Sequence, residues 1–311
     1  MTHNHDHHHH AHEHNHNHAP ARFSRAFAIG TALNLGFVIV EATYGYLAHS
    51  LALFADAGHN LSDVLGLLLA WGASSLARRP PSHRYTYGLR ASSILAALIN
   101  AVVLLLSMGA IAWEAIRRFQ DSAPVSGETI IGVALVGIII NTVTALMFMS
   151  GRKSDLNIRG AFLHMAADAV VSLGVVVAGI AILFTHWLWL DPLVSLVLVA
   201  VVVVGTWHLL RDSINLALDG VPAGIEPRAV KNYLTECPGV SKIHDLHIWA
   251  MSTTETALTV HLVMPGGYPG DGFLWEVAQE LEHHFGIKHS TLQVEMGDSA
   301  YPCALEPDHV V

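Results

Sequence analysis

LALFADAGHNLSDVLGLLLAWGASSL (Leu51–Leu76) decides how this chain folds. The run exceeds the about 20 residues that a helix needs to cross a hydrocarbon core of about 30 Å. Neither Lys nor Arg interrupts it, yet Asp56, His59 and Asp63 lie inside it. Lipid offers no partner for backbone amides, so a segment of this kind is a helix. Ionisable side chains at such depth are costly and by default mark a pathway or a site. His59 and Asp63 are four residues apart and therefore share one face of that helix.

Working outward, five further apolar segments have similar length: Ala26–Ala48, Ser92–Ala115, Thr129–Met149, Ile158–Phe184 and Trp189–Leu210. The 311 residues are 52% hydrophobic and 13% charged, with a mean hydropathy of +0.43. Soluble domains carry about 25% charged residues, so this chain lacks the charge to cover a water-facing surface. The expected fold is an α-helical membrane protein with six transmembrane helices. Arg22 and Arg25 precede the first span, and Arg78, Arg79, Arg84 and Arg90 lie between the second and third. Arg152, Lys153 and Arg159 separate the fourth and fifth, and Arg211 follows the sixth. Only Arg117 and Arg118 fall on the opposite side. This bias places both termini in the cytoplasm.

The fifth span repeats the signature as HMAAD, with His164 and Asp168 again four apart. Facing each other, the two helices supply two imidazole nitrogens and two carboxylate oxygens, a tetrahedral set suited to Zn2+. One such pair could serve only as a buried polar cluster bonding helix to helix. Two pairs in separate spans favour a metal. Asp56, three residues before His59, can orient a ligand from outside the metal's shell. Glu41, Asn100, Asn141 and Asp191 stand alone in their spans and read as interhelical hydrogen-bonding groups. Gly174 and Gly179 favour close helix contact.

Beyond about Gly220 the composition changes. An amphipathic helix over Glu226–Cys237 precedes alternating strands over Val240–Met251 and Glu255–Met264. A turn-rich break, a helix over Phe273–Phe285 and a strand over Ser290–Met296 complete a small cytoplasmic α+β domain in the order αββαβ. The expected organisation is a His-rich disordered tail (1–21), a membrane domain (22–215), this domain (216–298) and a loose C-terminal tail (299–311). Met1–His18 holds ten of the chain's 23 histidines and reads as a metal-collecting segment. Two cysteines, Cys237 and Cys303, exclude a disulfide scaffold and a zinc ribbon. A formal charge of −9 argues against nucleic acid as a partner. Simple alternation puts His244 and His247 on opposite faces of their strand, and His289, Thr291, Gln293 and Glu295 on one face of theirs. His186, His283 and His284 read as solvated surface, and no metal is expected at His83, which Arg84 flanks.

The runs SLALFADAGHNLSD (Ser50–Asp63), RRPPSHRYTYGLR (Arg78–Arg90), LNIRGAFLHMAADAVVSLGV (Leu156–Val175) and HDLHIWAM (His244–Met251) together resemble the cation diffusion facilitator family. The likeness is strongest to its bacterial zinc-exporting, cobalt-zinc-cadmium-resistance branch. It implies a homodimer of six-helix protomers in the bacterial inner membrane, each with a metallochaperone-like cytoplasmic domain. It implies proton-coupled efflux of divalent cations, Zn2+ above all and Cd2+ second, through His59, Asp63, His164 and Asp168. Zn2+ would also be structural or regulatory in the cytoplasmic domain, at His244, His261, His289 and Glu295. Some relatives carry a Cys-x-x-Cys near the C-terminus. Here Cys303 stands alone, which argues against a thiolate site shared across the dimer.

Metal needs neutral imidazole and ionised carboxylate, so protons and Zn2+ compete for the same four residues. An unperturbed imidazole titrates near pH ~6.5, which favours loading from the cytoplasm and release to a more acidic exterior. An intramembrane zinc metallohydrolase is the alternative, and a membrane-anchored metal sensor or buffer is a third reading. His164→Ala separates the first two. An exporter loses Zn2+ flux in vesicles, whereas a hydrolase loses turnover of a lipid or peptide with flux untouched.

Overall fold

The apolar segments form six long helices in the computed structural model, which describes residues 25–77, 79–120, 124–149, 156–298 and 300–306. The His-rich segment 1–21, together with Arg22, Arg78, Arg152 and Lys153 of the charge pattern, lies outside the described residues. The helices are α1 (Arg25–Leu47), α2 (Leu51–Ala77), α3 (Ser92–Arg118), α4 (Gly127–Phe148), α5 (Leu156–Thr185) and α6 (Leu190–Ala217). Among the described residues, four stretches are long and apolar enough to cross a membrane: Ser92–Arg118, Gly127–Met147, Phe162–Thr185 and Leu190–Ala217. α2 carries the polar residues Asp56, His59, Asn60 and Asp63. Large apolar side chains such as Leu106, Phe184 and Val204 point outward, as a lipid-facing surface requires.

α4 packs along α5, and α3 packs along α6. α2 lies against α1, α3 and α6, and α1 also meets α4. α2 and α5 touch little. Phe37, Leu53, Ile130, Val133, Val175, Ile182 and Leu198 knit the bundle from five of its helices. The α4–α5 approach is close because glycines face each other. A Cβ on Gly127 would lie 2.9 Å from the Gly179 carbonyl oxygen, and one on Gly179 would lie 2.9 Å from Ile131 Cγ1. Gly174 has nothing within 4 Å of such an atom, so the close contact belongs to Gly179 alone of that pair.

The C-terminal domain follows the expected αββαβ order: α7 (Pro227–Glu236), β1 (Lys242–Ala250), β2 (Thr256–Val263), α8 (Asp271–Phe285) and β3 (Ile287–Glu295). The Glu226 side chain accepts a hydrogen bond from the Arg228 amide, and Pro227 opens α7, both helix-start devices. Gly286, at φ 70°, ends α8 in the left-handed conformation. The sheet order is β1-β2-β3, with β1 antiparallel and β3 parallel to β2. Val230 and Leu234 of α7 and Val277 and Leu281 of α8 pack on Ile243, Ile248, Leu258, Val260 and Leu262 of the sheet.

One irregularity in β1 governs both faces of this sheet. Strict alternation would set Ile243 and Ile248 on opposite sides. The register shifts between His244 and His247, and Asp245 adopts φ 51°. The extra residue of this bulge turns the strand over, so both isoleucines reach the core. For the same reason His244, opposite His261, and His247, opposite Thr259, lie on one face. Simple alternation had separated them.

The loop before α3 touches the β1–β2 turn. Arg90 Nη1 lies 2.9 Å from Glu255 Oε2, and the Thr253 amide donates to Ser93 Oγ at 3.1 Å. Filling the α4–α5 contact tests this packing. Gly179→Val should cost about 1–3 kcal/mol by overpacking. It should lower the thermal unfolding midpoint of the detergent-solubilised protein, while Gly174→Ala leaves it unchanged or higher.

Candidate metal centres

α2 and α5 bring two polar pairs together from opposite sides of the bundle. His59 Nε2 lies 3.7 Å from Asp63 Oδ2 and 3.5 Å from Asp168 Oδ1. His164 Nε2 lies 3.1 Å from Asp63 Oδ2 and 3.6 Å from Asp168 Oδ2. Each imidazole thus reaches both carboxylates, one on its own helix and one across the gap. A tetrahedral zinc with bonds of about 2.0–2.1 Å separates its ligand atoms by about 3.3 Å. The four distances bracket that value. Donor atoms of Asp63, His164 and Asp168 all lie within 4.8 Å of one another. The His59 and His164 rings stand edge to face, with centroids 5.9 Å apart.

Two atoms here are buried without a hydrogen-bond partner, His59 Nδ1 and Asp168 Oδ2. An orphaned carboxylate oxygen at this depth fits a site completed by a cation. Exposure is uneven. The His164 side chain is 39% exposed and that of Asp168 only 4%. One turn further along α5, Ser172 is buried, as is Asp56 on the adjoining turn of α2. Of the four side chains, His164 is thus the most exposed and Asp168 the most buried.

Asp56 sits beside the ligand set rather than on it. Its Oδ2 accepts from Ser172 Oγ at 3.4 Å, joining α2 to α5. Glu41 accepts from Asn60 Nδ2 at 3.2 Å, and Asn100 accepts from Ser62 Oγ at 3.5 Å. Asp191 accepts from Ser50 Oγ at 2.5 Å. These three isolated polar residues thus bond helix to helix. Asn141 is buried with both its amide atoms unpartnered. Asn60, Ser50 and Ser172 escaped the sequence reading because small polar residues are common in such helices. Only their partners make them informative.

A second cluster lies on the open face of the C-terminal sheet. His261 Nδ1 is 3.2 Å from His244 Nε2 and 2.9 Å from Glu295 Oε1. His244 Nε2 is 3.4 Å from Glu295 Oε2. Cys303 Sγ completes the group at 3.6 Å from His261 Nδ1. Donor atoms of all four residues lie within 4.8 Å of one another, and both histidines are buried. His244 Nδ1 has no partner. The Leu305 amide pulls the Cys303 thiol down, but desolvation and the carboxylates of Glu295 and Asp245 outweigh it and hold its pKa above the usual thiol value.

His289 does not join this group. It is exposed, six residues from Glu295 along β3, which is about 20 Å at the rise of a strand. Its ring stands against Tyr87, centroids 5.6 Å apart. Cys303 enters instead because residues 300–306 fold back on the sheet, where Lys242 pairs with Glu306. The sequence pattern suggests a loose tail here and offers no signal for that return beyond the cysteine itself. Asp245, at the bulge, lies 3.4 Å from His261 Nε2 and 2.8 Å from His247 Nε2. It braces the ring of His261 from outside the cluster.

The chain matches two family models in sequence. The cation efflux transmembrane domain matches residues 27–216, and the cation efflux protein cytoplasmic domain matches residues 222–296. A cadmium, cobalt and zinc/H(+)-K(+) antiporter of Bacillus subtilis is 36% identical over 276 residues, covering 87% of this chain and 88% of that protein. The metal cation efflux system protein CzcD of Cupriavidus metallidurans is 36% identical over 285 residues, covering 91% and 89%. The zinc transporter ZitB of Escherichia coli is 34% identical over 274 residues, covering 88% and 87%.

His289 of β3 and Cys303 of the tail separate cleanly in a binding experiment. Zn2+ titrated calorimetrically into the full-length protein should show one class of sites weakened at least about tenfold by Cys303→Ala. His289→Ala should leave both classes as they are. The reverse result would return His289 to the cluster.

Proposed function

The chain belongs to the cation diffusion facilitator, or cation efflux, family, and from that premise we propose that it is a homodimeric, proton-coupled exporter of Zn2+ with Cd2+ as a second cargo. Metal cation efflux is its activity, and it is a multi-pass membrane transporter rather than an enzyme. The finer reading has six spans, both termini in the cytoplasm and a bacterial inner-membrane location. The domain limits are those of the sequence reading, with the His-rich 1–21 segment concentrating metal at the cytoplasmic face.

The transport site is His59, Asp63, His164 and Asp168. One observation carries this assignment: each of the two imidazoles lies within 3.7 Å of both carboxylates, across helices that otherwise hardly meet. Two nitrogens and two oxygens are a donor set that suits Zn2+. The family and its transporter relatives speak against the hydrolase reading. His59 in place of a further carboxylate favours the borderline-soft Zn2+ and Cd2+ over harder cations. The names of the relatives support the same range of cargo.

Zn2+ entering from the cytoplasm competes with protons for the two imidazoles and displaces them. When the site faces an acidic exterior, protons take the imidazoles, the ligand set loses both nitrogens and Zn2+ leaves. The return of protonated histidines carries H+ inward.

The cytoplasmic cluster of His244, His261, Glu295 and Cys303 binds a regulatory metal. Cys303 takes the place that the family resemblance assigns to His289. The dimer forms through this domain, consistent with its match to the family's cytoplasmic domain.

Proteoliposomes test the reading. An imposed Zn2+ gradient should drive counterflow of protons, read with an internal pH dye, in the wild type. Asp168→Ala should reduce it to the rate of empty liposomes. Zn2+ flux without any pH change would sink the antiport, and full activity in Asp168→Ala would sink the site.

A further inference from the structure

The C-terminal domain carries a groove of about 660 Å3 between α7 and α8. Tyr233, Phe273 and Trp275 give it aromatic walls, and Glu236, Glu276 and Glu280 give it carboxylates. Trp275 is 65% exposed, and the three glutamates are exposed as well. The charge of the groove is one-sided. Among the described residues no Lys or Arg pairs with these glutamates, and the ion pair found at them joins Glu280 to His284 Nε2 at 3.0 Å. α7 ends at Glu236 with no basic residue in its last turn, so the negative end of its dipole adds to the same field. Tyr233 responds to these surroundings: burial first, then the Cys237 thiol and the carboxylates of Glu280 and Glu276, push its hydroxyl up to about 12. Carboxylates, a helix C-terminus and aromatic faces together suit a cation, with indole the best of the ring faces. The volume is room for several side chains of a peptide rather than for one ion.

The chain itself supplies such a peptide. Met1–His18 has ten histidines and no Lys or Arg, with Asp6 and Glu13 as its acids. Without metal it has little to offer an acidic groove. Each Zn2+ held by its imidazoles adds two positive charges and leaves the second ring N–H of each ligand free to donate to a carboxylate. The segment is also attached at the right end of the molecule. α1 runs antiparallel to α2, since Glu41 meets Asn60 and Gly45 lies beside Leu53. Its first residues therefore lie at the end where Ser93, in the first turn of α3, touches the β1–β2 turn. The groove lies at the far end of the ten-residue α7, about 15 Å from its start. Residues 1–24 precede α1, and a stretch of that length reaches roughly 80 Å when extended. A tether of this kind gives an effective concentration on the order of mM.

We propose that the groove between α7 and α8 receives the Met1–His18 segment of the same chain when that segment carries Zn2+. This rests on the metal-collecting reading of residues 1–21 and gives that store a place on the protein. The contact sets loaded metal against the C-terminal domain and lapses when the metal leaves, because the charge that holds it leaves too.

A fluorescent peptide with the Met1–His18 sequence, loaded with one equivalent of Zn2+, tests this against the detergent-solubilised chain from which Thr2–His18 has been removed. Binding should saturate and should fade as salt rises. It should weaken at least about tenfold with the paired substitutions Glu276→Gln and Glu280→Gln, and again with Trp275→Ala. All three side chains project from the surface, and if Trp275→Ala does not fold, the Gln pair decides. Metal-free peptide should bind at least about tenfold more weakly than the loaded one. The intact chain should bind loaded peptide weakly, because its own segment fills the groove. Equal affinity for the wild-type and Gln-substituted grooves, or for the intact and shortened chains, overturns the docking. Tighter capture of a Lys-rich peptide of the same length gives the groove to another cationic partner, and loss of the dimer in the Gln variant, read by light scattering, gives it to a second copy. Either result overturns the proposal. A peptide that takes up no Zn2+ overturns the metal-collecting reading itself, whereas one that takes up Zn2+ and finds no groove overturns the docking alone.

Discussion

An unmatched ionisable group at membrane depth costs several kcal/mol, and α2 and α5 each present a histidine and an aspartate to the other. Each pair finds partners on the opposite helix. The crossed pairing of His59 with Asp168 and of His164 with Asp63 is therefore the constraint around which the bundle is arranged. α3 and α6 support α2 from behind, α4 supports α5 through the Gly127–Gly179 approach, and α1 spans both groups. The same pairing explains why helices with so little mutual packing stay together. Their contact is made of charge and hydrogen bonds rather than of apolar surface, and a cation is the natural filling for it.

The two candidate metal centres use the same logic with different elements. In the bundle, the four-residue spacing on a helix aligns imidazole with carboxylate, and two helices supply two such pairs. In the C-terminal domain, direct cross-strand pairing sets His244 against His261, β3 adds Glu295, and the returning tail adds Cys303. A thiol and two imidazoles make the second set softer than the first. A softer set holds Zn2+ more firmly, which suits an ion that stays. Two carboxylates with two titratable imidazoles suit an ion that must be let go.

The helical spans were legible because length and apolar content decide them. The meeting of His59, Asp63, His164 and Asp168 was legible because ionisable groups in lipid are costly and seek partners. Other features were hidden for physical reasons. A sequence shows which face of a helix a residue occupies but not which helix lies opposite, so Glu41–Asn60 and Ser50–Asp191 could be read only as unassigned polar groups. Strand alternation predicts faces only while it is unbroken, and the bulge at Asp245 breaks it, which is why His247 was placed on the wrong face. Cys303 lay beyond the last regular element, where neither period nor propensity reports a fold-back. His289 shares a face with Glu295, as alternation requires, but sharing a face says nothing about distance along the strand.

The bulge in β1 has a further consequence. Ile243 and Ile248 need the extra residue to reach the hydrophobic interior together, and His247 needs it to share a side with His244. A single insertion thus sets the parity of the strand for two unrelated purposes. Deleting one residue there would turn one half of β1 over, exposing Ile243 or Ile248 while its neighbouring histidine turned inward, since a shift of one position exchanges the two sides. Filling of the interior and the makeup of the open face are in this way coupled through the backbone.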